Sequence, residues 1–237
     1  MRQPPVNARV PHAIEGLQSY MALLTGYRRA NVTGARGSAE GVAGLVGDAL
    51  ALLEVTELTD AADPAGHAPW ADLGSGGGLP GIPLALALPG LRLTLVEAVG
   101  KKCAFLRDVV AELGLVERVE VTCARSEELA AAGRPGRESY GVVLAKAVGP
   151  LAVVVELAAP LLRVGGLLVV SKTSAAVERE AAAGEAAGAA CGLARRRLVA
   201  LTSSPLPGSV AVVFEKLAVT PERFPRRPGI AAKRPLA

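Results

Sequence analysis

Strand-like and helix-like segments alternate from residue 70 to residue 192, and this alternation limits the fold more than any other feature of the chain. Five apolar stretches are typical of strands: WADL (70–73), LRLTLVE (91–97), RVEVTCA (118–124), YGVVLAKA (140–147) and GLLVVSK (166–172). The helical stretches between them predict parallel strands, and their apolar composition predicts a sheet covered on both faces. Two later stretches, ARRRLVALTSS and SVAVVFEKLA, flank PLPG and predict an antiparallel hairpin. We therefore predict an α/β protein with a doubly wound, mostly parallel, seven-stranded sheet.

Two helical patterns precede the sheet region. Apolar residues recur at three- and four-residue steps over 12–29 and 38–57, which is the spacing of a helix with one buried face. Ser38 stands where a helix-capping hydroxyl is favoured. We divide the chain into an N-terminal helical extension (1–64), a sheet domain (65–218) and a basic C-terminal tail (219–237).

Composition narrows the classes of function. Aromatic residues make up only 3% of the chain, which argues against RNA binding by base stacking. The three cysteines are far apart and odd in number, so we expect neither a disulfide framework nor a metal site, and we expect a reduced, cytoplasmic location. The N-terminus lacks the apolar segment of a signal peptide. Charged residues and prolines interrupt the longest apolar stretch (141–170), so no membrane span is expected.

Positive charge is concentrated at the C-terminus. From Lys216 onward there are six Lys or Arg and one Glu, a balance of +5, whereas the other 215 residues hold 20 basic and 21 acidic residues, a balance of −1. Such a segment is either a solvated chain end or a surface that contacts nucleic-acid phosphates.

The stretch DLGSGGGLPGIPLAL (72–86) follows the first predicted strand and is rich in glycine. Glycine in this density costs conformational entropy, and its usual purpose is to let the backbone approach a ligand closely. Gly76, Gly78 and Gly81 match the GxGxxG fingerprint of dinucleotide-binding proteins. Pro80 weakens that interpretation, because a proline in the phosphate-binding turn removes a backbone donor.

A second frame starts at Asp72 and continues with Gly74, Gly76 and Gly78. It resembles motif I of the class I S-adenosylmethionine-dependent methyltransferases, whose cofactor carries an ammonium and a sulfonium instead of a pyrophosphate. A carboxylate such as Asp72 suits the ammonium, and Glu97, at the end of the second predicted strand, suits the two ribose hydroxyls. Dehydrogenases also place an acid at the latter position, so Glu97 does not separate the two interpretations.

Five blocks follow one another at distances similar to those of one family: DLGSGGGLPGIPLAL, LVEAVGKKCAFLRDVVAELGL, CARSEEL, AKAVGPL and LLRVGGLLVVSK. Together they resemble the RsmG (GidB) family, from NVTGAR (31–36) to FPRRPGIAAKRPL (224–236). The resemblance implies a Rossmann-like class I methyltransferase domain over 65–218. It implies methyl transfer from S-adenosyl-L-methionine to N7 of a guanine in the 530 loop of 16S rRNA, customarily guanine 527. The implied partner is 16S rRNA or the small ribosomal subunit, with no metal and no membrane.

The motif and the resemblance together name candidate residues. Lys146 stands where the family has the arginine of its SRA motif, and Asp48 is what this chain keeps of the family's RHxxDS motif. The cofactor-binding candidates are Asp72, Gly74, Gly76, Gly78, Leu79, Glu97, Ser126, Glu127 and Lys146. The candidates for positioning the substrate are Lys146, Arg125 and Lys172, and those for contacting RNA are Lys101, Lys102, Arg226, Arg227, Lys233 and Arg234.

The implied reaction needs no acid or base. Guanine N7 has an in-plane lone pair and no proton, so we expect no catalytic His or Cys, and both His12 and His67 lie outside every motif. Rate enhancement is expected from alignment of the two reactants. Because the product base is cationic, nearby lysines are better interpreted as phosphate contacts than as base contacts.

Three other functions remain open at this point. A small-molecule methyltransferase of the same fold would need no basic tail and would have an apolar lid over the cofactor, and the sequence has no evident lid. A non-catalytic RNA- or cofactor-binding member of the family is suggested by the changes at Lys146 and around Asp48, although the intact glycine loop and Glu97 argue against it. A nicotinamide-dependent enzyme is disfavoured by Pro80 and by the Asp72 frame.

Overall fold

The structure is a computed structural model that describes residues 6–27, 38–61 and 68–236, with the backbone alone for 6–12, 60 and 61. Its centre is a seven-stranded sheet with helices on both faces, which confirms the predicted fold class. The segment NVTGAR, His67 and the side chain of His12 lie outside the described residues.

The strands are β1 (Trp70–Leu73), β2 (Leu93–Glu97), β3 (Val119–Cys123), β4 (Tyr140–Lys146), β5 (Leu162–Thr173), β6 (Leu193–Ala200) and β7 (Ser209–Lys216). The sheet has the strand order β3-β2-β1-β4-β5-β7-β6. All pairs are parallel except those of β7, which runs antiparallel to both β5 and β6. The predicted hairpin therefore forms from β6 and β7, and β7 lies between β5 and β6 in the sheet.

The described helices are α1 (Val6–Gly26), α2 (Ala39–Ala51), α3 (Thr56–Ala61), α4 (Gly81–Ala87), α5 (Gly100–Glu112), α6 (Ser126–Leu129), α7 (Leu151–Ala158), α8 (Ser174–Cys191) and α9 (Ile230–Lys233). Ser38 caps α2 as predicted, because its hydroxyl accepts a hydrogen bond from the Gly41 amide at 3.1 Å. The single helix predicted over 38–57 is wrong in one respect: a 3₁₀ turn (Leu52–Glu54) and the extended backbone of Val55 separate α2 from α3.

Two apolar layers enclose the sheet. On β4, Val142 and Leu144 face one layer, and Val143 and Ala145 face the other, because successive residues of a strand point to opposite sides. The first layer includes buried residues of α1, α2, α4 and α5, and the second includes those of α7 and α8. The N-terminal helices therefore cover the sheet on the same face as α4 and α5.

The C-terminal residues fold back onto the domain. The ring of Phe224 is buried in the second apolar layer. The Arg137 guanidinium donates hydrogen bonds to the carbonyls of Thr220 (2.8 Å) and Phe224 (2.9 Å). Lys216 is fully buried, donates to Ala159 O at 2.5 Å and also bonds the Thr220 hydroxyl. The segment predicted as a tail is thus anchored along much of its length.

The expectation about cysteines is wrong for two of the three. Cys103, on α5, and Cys123, at the end of β3, form a disulfide, with their Cα atoms 5.8 Å apart. The sequence separation of 20 residues concealed this pairing, since the two residues meet only when α5 packs on β3. Cys191 is free and buried, and burial raises the pKa of its thiol to about 12.

No helix within the described ranges is both long enough and apolar enough to cross a bilayer.

Candidate active site

The carboxyl ends of β1, β2 and β4 meet where the strand order reverses. β1 pairs with β2 on one side and with β4 on the other. Crevices at this position of α/β sheets bind ligands. Asp72, Glu97 and Lys146 lie at or next to the ends of these three strands, so the fold brings together three of the predicted site residues.

The loop between β1 and α4 has two distinct faces. Gly74 is exposed and Gly76 is half-buried, whereas Gly77 and Gly78 are buried. The φ angles of Gly74, Gly76 and Gly78 are +68°, +57° and +97°, a region that favours glycine. A Cβ atom on Gly78 would lie 2.6 Å from Ile82 Cγ1. The loop therefore presents the backbone of Gly74 and Gly76 outward, while Gly78 packs inward.

Glu97 is bonded to the glycine loop. Its Oε2 accepts from the Gly76 amide at 2.9 Å, and its Oε1 accepts from the Val99 amide at 2.8 Å. The residue is only 6% exposed. A carboxylate has about four acceptor positions, so two remain after these bonds are made.

Asp72 lies beneath the loop, fully buried. Its Oδ2 accepts from the Gly81 amide at 3.1 Å, but within the described part of the chain its Oδ1 has no hydrogen-bond partner. Burial raises the pKa of Asp72 to about 7, against the lowering effect of the Gly81 amide. Leu79, which follows the glycines, is half-buried against the first apolar layer.

The turn after β3 carries three more predicted residues. Arg125 is exposed and precedes α6, whereas Ser126 and Glu127 are buried in its first turn. The Glu127 Oε1 atom accepts from the Gly229 amide at 2.9 Å, and its Oε2 accepts from the Ser126 hydroxyl at 3.3 Å. The C-terminal segment thus reaches the edge of the candidate site.

Lys146 pairs with Asp48 of α2. The two side chains are 12% and 3% exposed, and the lysine ammonium bonds Asp48 Oδ2. The Ser204 hydroxyl, from the loop between β6 and β7, donates to Asp48 Oδ1 at 2.6 Å. Burial would raise the pKa of Asp48, but the bonds from Lys146 and Ser204 outweigh it and the pKa is lowered. This cluster joins the N-terminal extension and the hairpin to the end of β4.

Lys172 is held in a similar way. Its ammonium donates to Gly149 O at 2.6 Å and to Glu180 Oε2 at 2.7 Å, and its side chain is 13% exposed. Gly149 belongs to the loop that follows β4, so this lysine ties α8 to that loop.

The six predicted RNA-contacting residues divide into two groups. Arg226 is bound to the buried Glu156, with its Nε donating to Oε1 at 2.6 Å. The other five are exposed or half-buried: Lys101 and Lys102 in the first turn of α5, and Arg227, Lys233 and Arg234 near the C-terminus.

Sequence reasoning missed Tyr20. Its hydroxyl donates to Gly77 O at 2.8 Å, from a position 57 residues earlier in the chain. The available signal was a phenol among the apolar residues Leu17, Met21 and Leu24 of a predicted helix. A buried phenol usually finds an acceptor, but the sequence does not say which one.

The geometry argues against a dinucleotide site. The amide of Gly81, at the start of α4, is bonded to Asp72 and is not directed to a pyrophosphate. The antiparallel β7 lies between β5 and β6, whereas the dinucleotide-binding sheet has the order 3-2-1-4-5-6.

The sheet and its site define the fold of a class I S-adenosylmethionine-dependent methyltransferase. This fold is shared by many solved structures, including the following two. A mutant of MtNAS in complex with S-adenosylmethionine has a TM-score of 0.55 and 16% identity, over 90% of this chain and 75% of that one. The geranyl diphosphate C-methyltransferase of Streptomyces coelicolor, in complex with Mg²⁺, geranyl diphosphate and S-adenosyl-L-homocysteine, has a TM-score of 0.54 and 15% identity, over 87% of this chain and 98% of that one. Identities this low show the fold alone.

The chain belongs to the family described as rRNA small subunit methyltransferase G (GidB), whose profile matches residues 13–204. A ribosomal RNA small subunit methyltransferase G of Rubrobacter xylanophilus is 42% identical over 224 residues, covering 93% of this chain and 82% of the relative. Another, of Chloroflexus aggregans, is 44% identical over 170 residues, covering 70% and 68%. The predicted family is therefore confirmed. Its cofactor is S-adenosylmethionine, as predicted.

Proposed function

We propose that this protein methylates N7 of a guanine in the 530 loop of 16S rRNA, customarily guanine 527, as a naked RNA or within the small ribosomal subunit, in the cytoplasm. The observation that carries the proposal is the bond between Glu97 and Gly76, which joins the acidic end of β2 to the glycine loop in a chain of this family. When bound, S-adenosylmethionine supplies an electrophilic methyl group on its sulfonium.

The residues of the site fit this cofactor. The buried Asp72 Oδ1, which has no partner among the described residues, calls for a donor, and the ammonium or an intervening water would supply it. The two remaining acceptor positions of Glu97 suit the two ribose hydroxyls. The exposed Gly74 and the half-buried Gly76 permit close approach of the backbone. Leu79, Ser126, Glu127 and Lys146 complete the proposed set, together with Gly78, which is buried.

The protein contributes to the reaction by holding and aligning its substrates. Guanine N7 bears no proton, so no side chain has to remove one. Lys146 and Lys172 are held in place by ion pairs with Asp48 and Glu180, beside the loop after β4. We propose that the exposed Arg125 contacts RNA phosphates near the end of β4, and that Lys146 and Lys172, whose charges are paired, help to position the substrate by ordering that loop.

The proposed RNA surface combines exposed and half-buried basic residues from the start of α5 and from the C-terminal segment. Its members are Lys101, Lys102, Arg227, Lys233 and Arg234. Arg226 contributes differently, because its guanidinium is already paired with Glu156 and holds the C-terminal segment in place.

The test is methyl transfer from labelled S-adenosylmethionine to ribosomal particles that lack the modification, followed by borohydride and aniline cleavage to map N7-methylguanine. We expect a single break in the 530 loop. Label in RNA with no break there, or a break elsewhere, would overturn the proposed base. Label appearing only in a small molecule would favour the small-molecule alternative.

A variant of Glu97 separates cofactor binding from RNA binding. In Glu97→Gln an NH₂ group replaces one of the two oxygens, so only one of the bonds from the Gly76 and Val99 amides can be kept. We expect cofactor affinity to fall at least about tenfold, or about 1.4 kcal/mol. The control Glu112→Gln alters an exposed glutamate of α5 and should bind the cofactor normally. A wild-type dissociation constant for Glu97→Gln would show that the ribose contact is misassigned.

A further inference from the structure

The N-terminal helix α1 contacts the glycine loop through one polar bond. The Tyr20 hydroxyl donates to the Gly77 carbonyl at 2.8 Å, and Tyr20 is 0% exposed. Gly77 is itself buried. A buried carbonyl that loses its donor is destabilised, so this bond opposes any movement of the loop away from α1.

The contact is also steric. A Cβ atom on Gly78 would lie 3.2 Å from the Tyr20 hydroxyl oxygen and 2.6 Å from Ile82 Cγ1. The Gly77–Gly78 backbone is therefore pressed against the phenol on its inner side. On the outer side of the same loop, Gly74 and Gly76 present the backbone that we propose binds the cofactor.

The phenol remains a donor over the working pH range. Burial, with a smaller effect of the Asp72 charge, raises the pKa of Tyr20 well above its ordinary value. The hydroxyl therefore keeps its proton. Tyr20 and Glu97 therefore hold two adjacent residues of the loop, since Tyr20 donates to Gly77 O and Glu97 accepts from Gly76 N.

We infer that Tyr20 is a positioning residue, which holds the glycine loop in its cofactor-binding conformation and makes the N-terminal extension part of the cofactor site. This inference rests on the cofactor site of the proposed function but not on the base that is methylated.

The test compares Tyr20→Phe with the unmodified full-length protein by calorimetric titration of S-adenosylmethionine and S-adenosylhomocysteine. The substitution removes one oxygen and keeps the ring, and we expect both dissociation constants to rise about three- to tenfold. The matched control is Thr25→Val, which removes a hydroxyl from the same helix; that hydroxyl donates to Met21 O within its own turn. The control should bind both ligands normally.

A merely structural role would lower the melting temperature of Tyr20→Phe and leave both dissociation constants unchanged, and that result would overturn the inference. A second measurement needs no variant. In the unmodified protein, adding S-adenosylmethionine should slow amide hydrogen exchange in the part of α1 around Tyr20. Protection of the glycine loop without protection of α1 would also overturn it. Both measurements use the cofactor alone, so their failure is distinct from failure of the RNA assay.

Discussion

The Gly229 amide donates a hydrogen bond to the Glu127 carboxylate at 2.9 Å, across 102 residues of chain. The C-terminal segment is thereby attached to the short helix that borders the candidate site. The same segment places Phe224 in the second apolar layer and Arg226 on Glu156. Its removal would consequently alter packing as well as charge.

The first prediction concerns this packing. Phe224→Ala should lower the free energy of unfolding by about 3–5 kcal/mol, because a buried ring is replaced by a cavity. Denaturant unfolding measures the effect. Val219→Ala, a change at a residue that is 65% exposed in the same segment, should shift it by less than about 0.5 kcal/mol. Equal losses in the two variants would show that the segment is not docked.

The second prediction concerns Asp48 and Lys146. Asp48→Asn should cost about 3 kcal/mol of stability, because it leaves the lysine ammonium largely buried without its counter-charge. Combining it with Lys146→Gln should cost less than the sum of the two single changes, since both remove the same interaction. The measurement is a double-mutant cycle by denaturant unfolding. If the two losses of unfolding free energy simply add in the double variant, the Asp48–Lys146 interaction does not contribute to stability.

The third prediction is a pH dependence. The pKa of Asp72 is raised to about 7, whereas in the unfolded chain it is about 3.9. Between these values the folded state keeps a proton that unfolding releases. Stability from this group is therefore full below about pH 4 and is lost as the pH rises to about 7, with a slope approaching about 1.4 kcal/mol per pH unit.

Asp72→Asn isolates that contribution. The amide oxygen can still accept from Gly81, but the side chain no longer titrates. Glu97, which raises the pKa, and Lys146, which lowers it, are unchanged in the variant. Thermal unfolding of both cofactor-free proteins between pH 5 and 8 should show a steeper loss for the unmodified protein. Parallel curves would mean that Asp72 is ionised throughout.

The fourth prediction concerns RNA binding. Replacing Arg227, Lys233 and Arg234 together by glutamine should weaken binding of 16S rRNA and reduce its salt dependence, by about 0.7 in the log–log slope for each phosphate that the protein no longer neutralises. Cofactor affinity should not change. Titrations of labelled RNA at several salt concentrations measure both the affinity and the slope.

The control variant removes the same number of positive charges from the edge of the sheet where the parallel strands begin, away from the candidate site at their carboxyl ends. Arg92, Arg134 and Arg163 are exposed there, near the amino ends of β2, β4 and β5. Their replacement by glutamine should leave the salt slope unchanged. If both triple variants reduce the slope equally, the C-terminal residues contribute only to the overall charge.

The fifth prediction concerns the number of cysteine thiols that react with a thiol reagent. The native protein should not react with an aromatic disulfide reagent, because Cys191 is buried and Cys103 is bonded to Cys123. One thiol should react after unfolding without reductant, and three after reduction. Three reactive thiols before reduction would show that the disulfide is absent.

Much of the fold could be predicted because its signals are local. The strand WADL, the glycine loop and the placement of Glu97 at a strand end follow from short stretches of sequence. The alternation of strands and helices then places their carboxyl ends at one edge. The position of the candidate site could therefore be predicted from the sequence, because its residues lie at or next to strand ends.

The remaining features depend on partners that are distant in the chain. Tyr20 meets Gly77 across 57 residues, and Lys146 meets Asp48 across 98. The basic sequence around Arg226 is typical of an RNA contact, but in the fold the Arg226 guanidinium is paired with the carboxylate of Glu156. No spacing rule predicts such encounters, because they are decided by how separate helices pack on the sheet.

The burial of Lys216 and the pairing of Arg226 reduce the positive charge that the proposed RNA surface presents to solvent. Of the six basic residues from Lys216 onward, one lies in the interior and another is neutralised by Glu156, so Arg223, Arg227, Lys233 and Arg234 remain on the surface. Because their backbone is folded and not free to sweep through solvent, the attractive potential has a fixed direction. In the proposed RNA complex, this directed attraction would orient the RNA before contact.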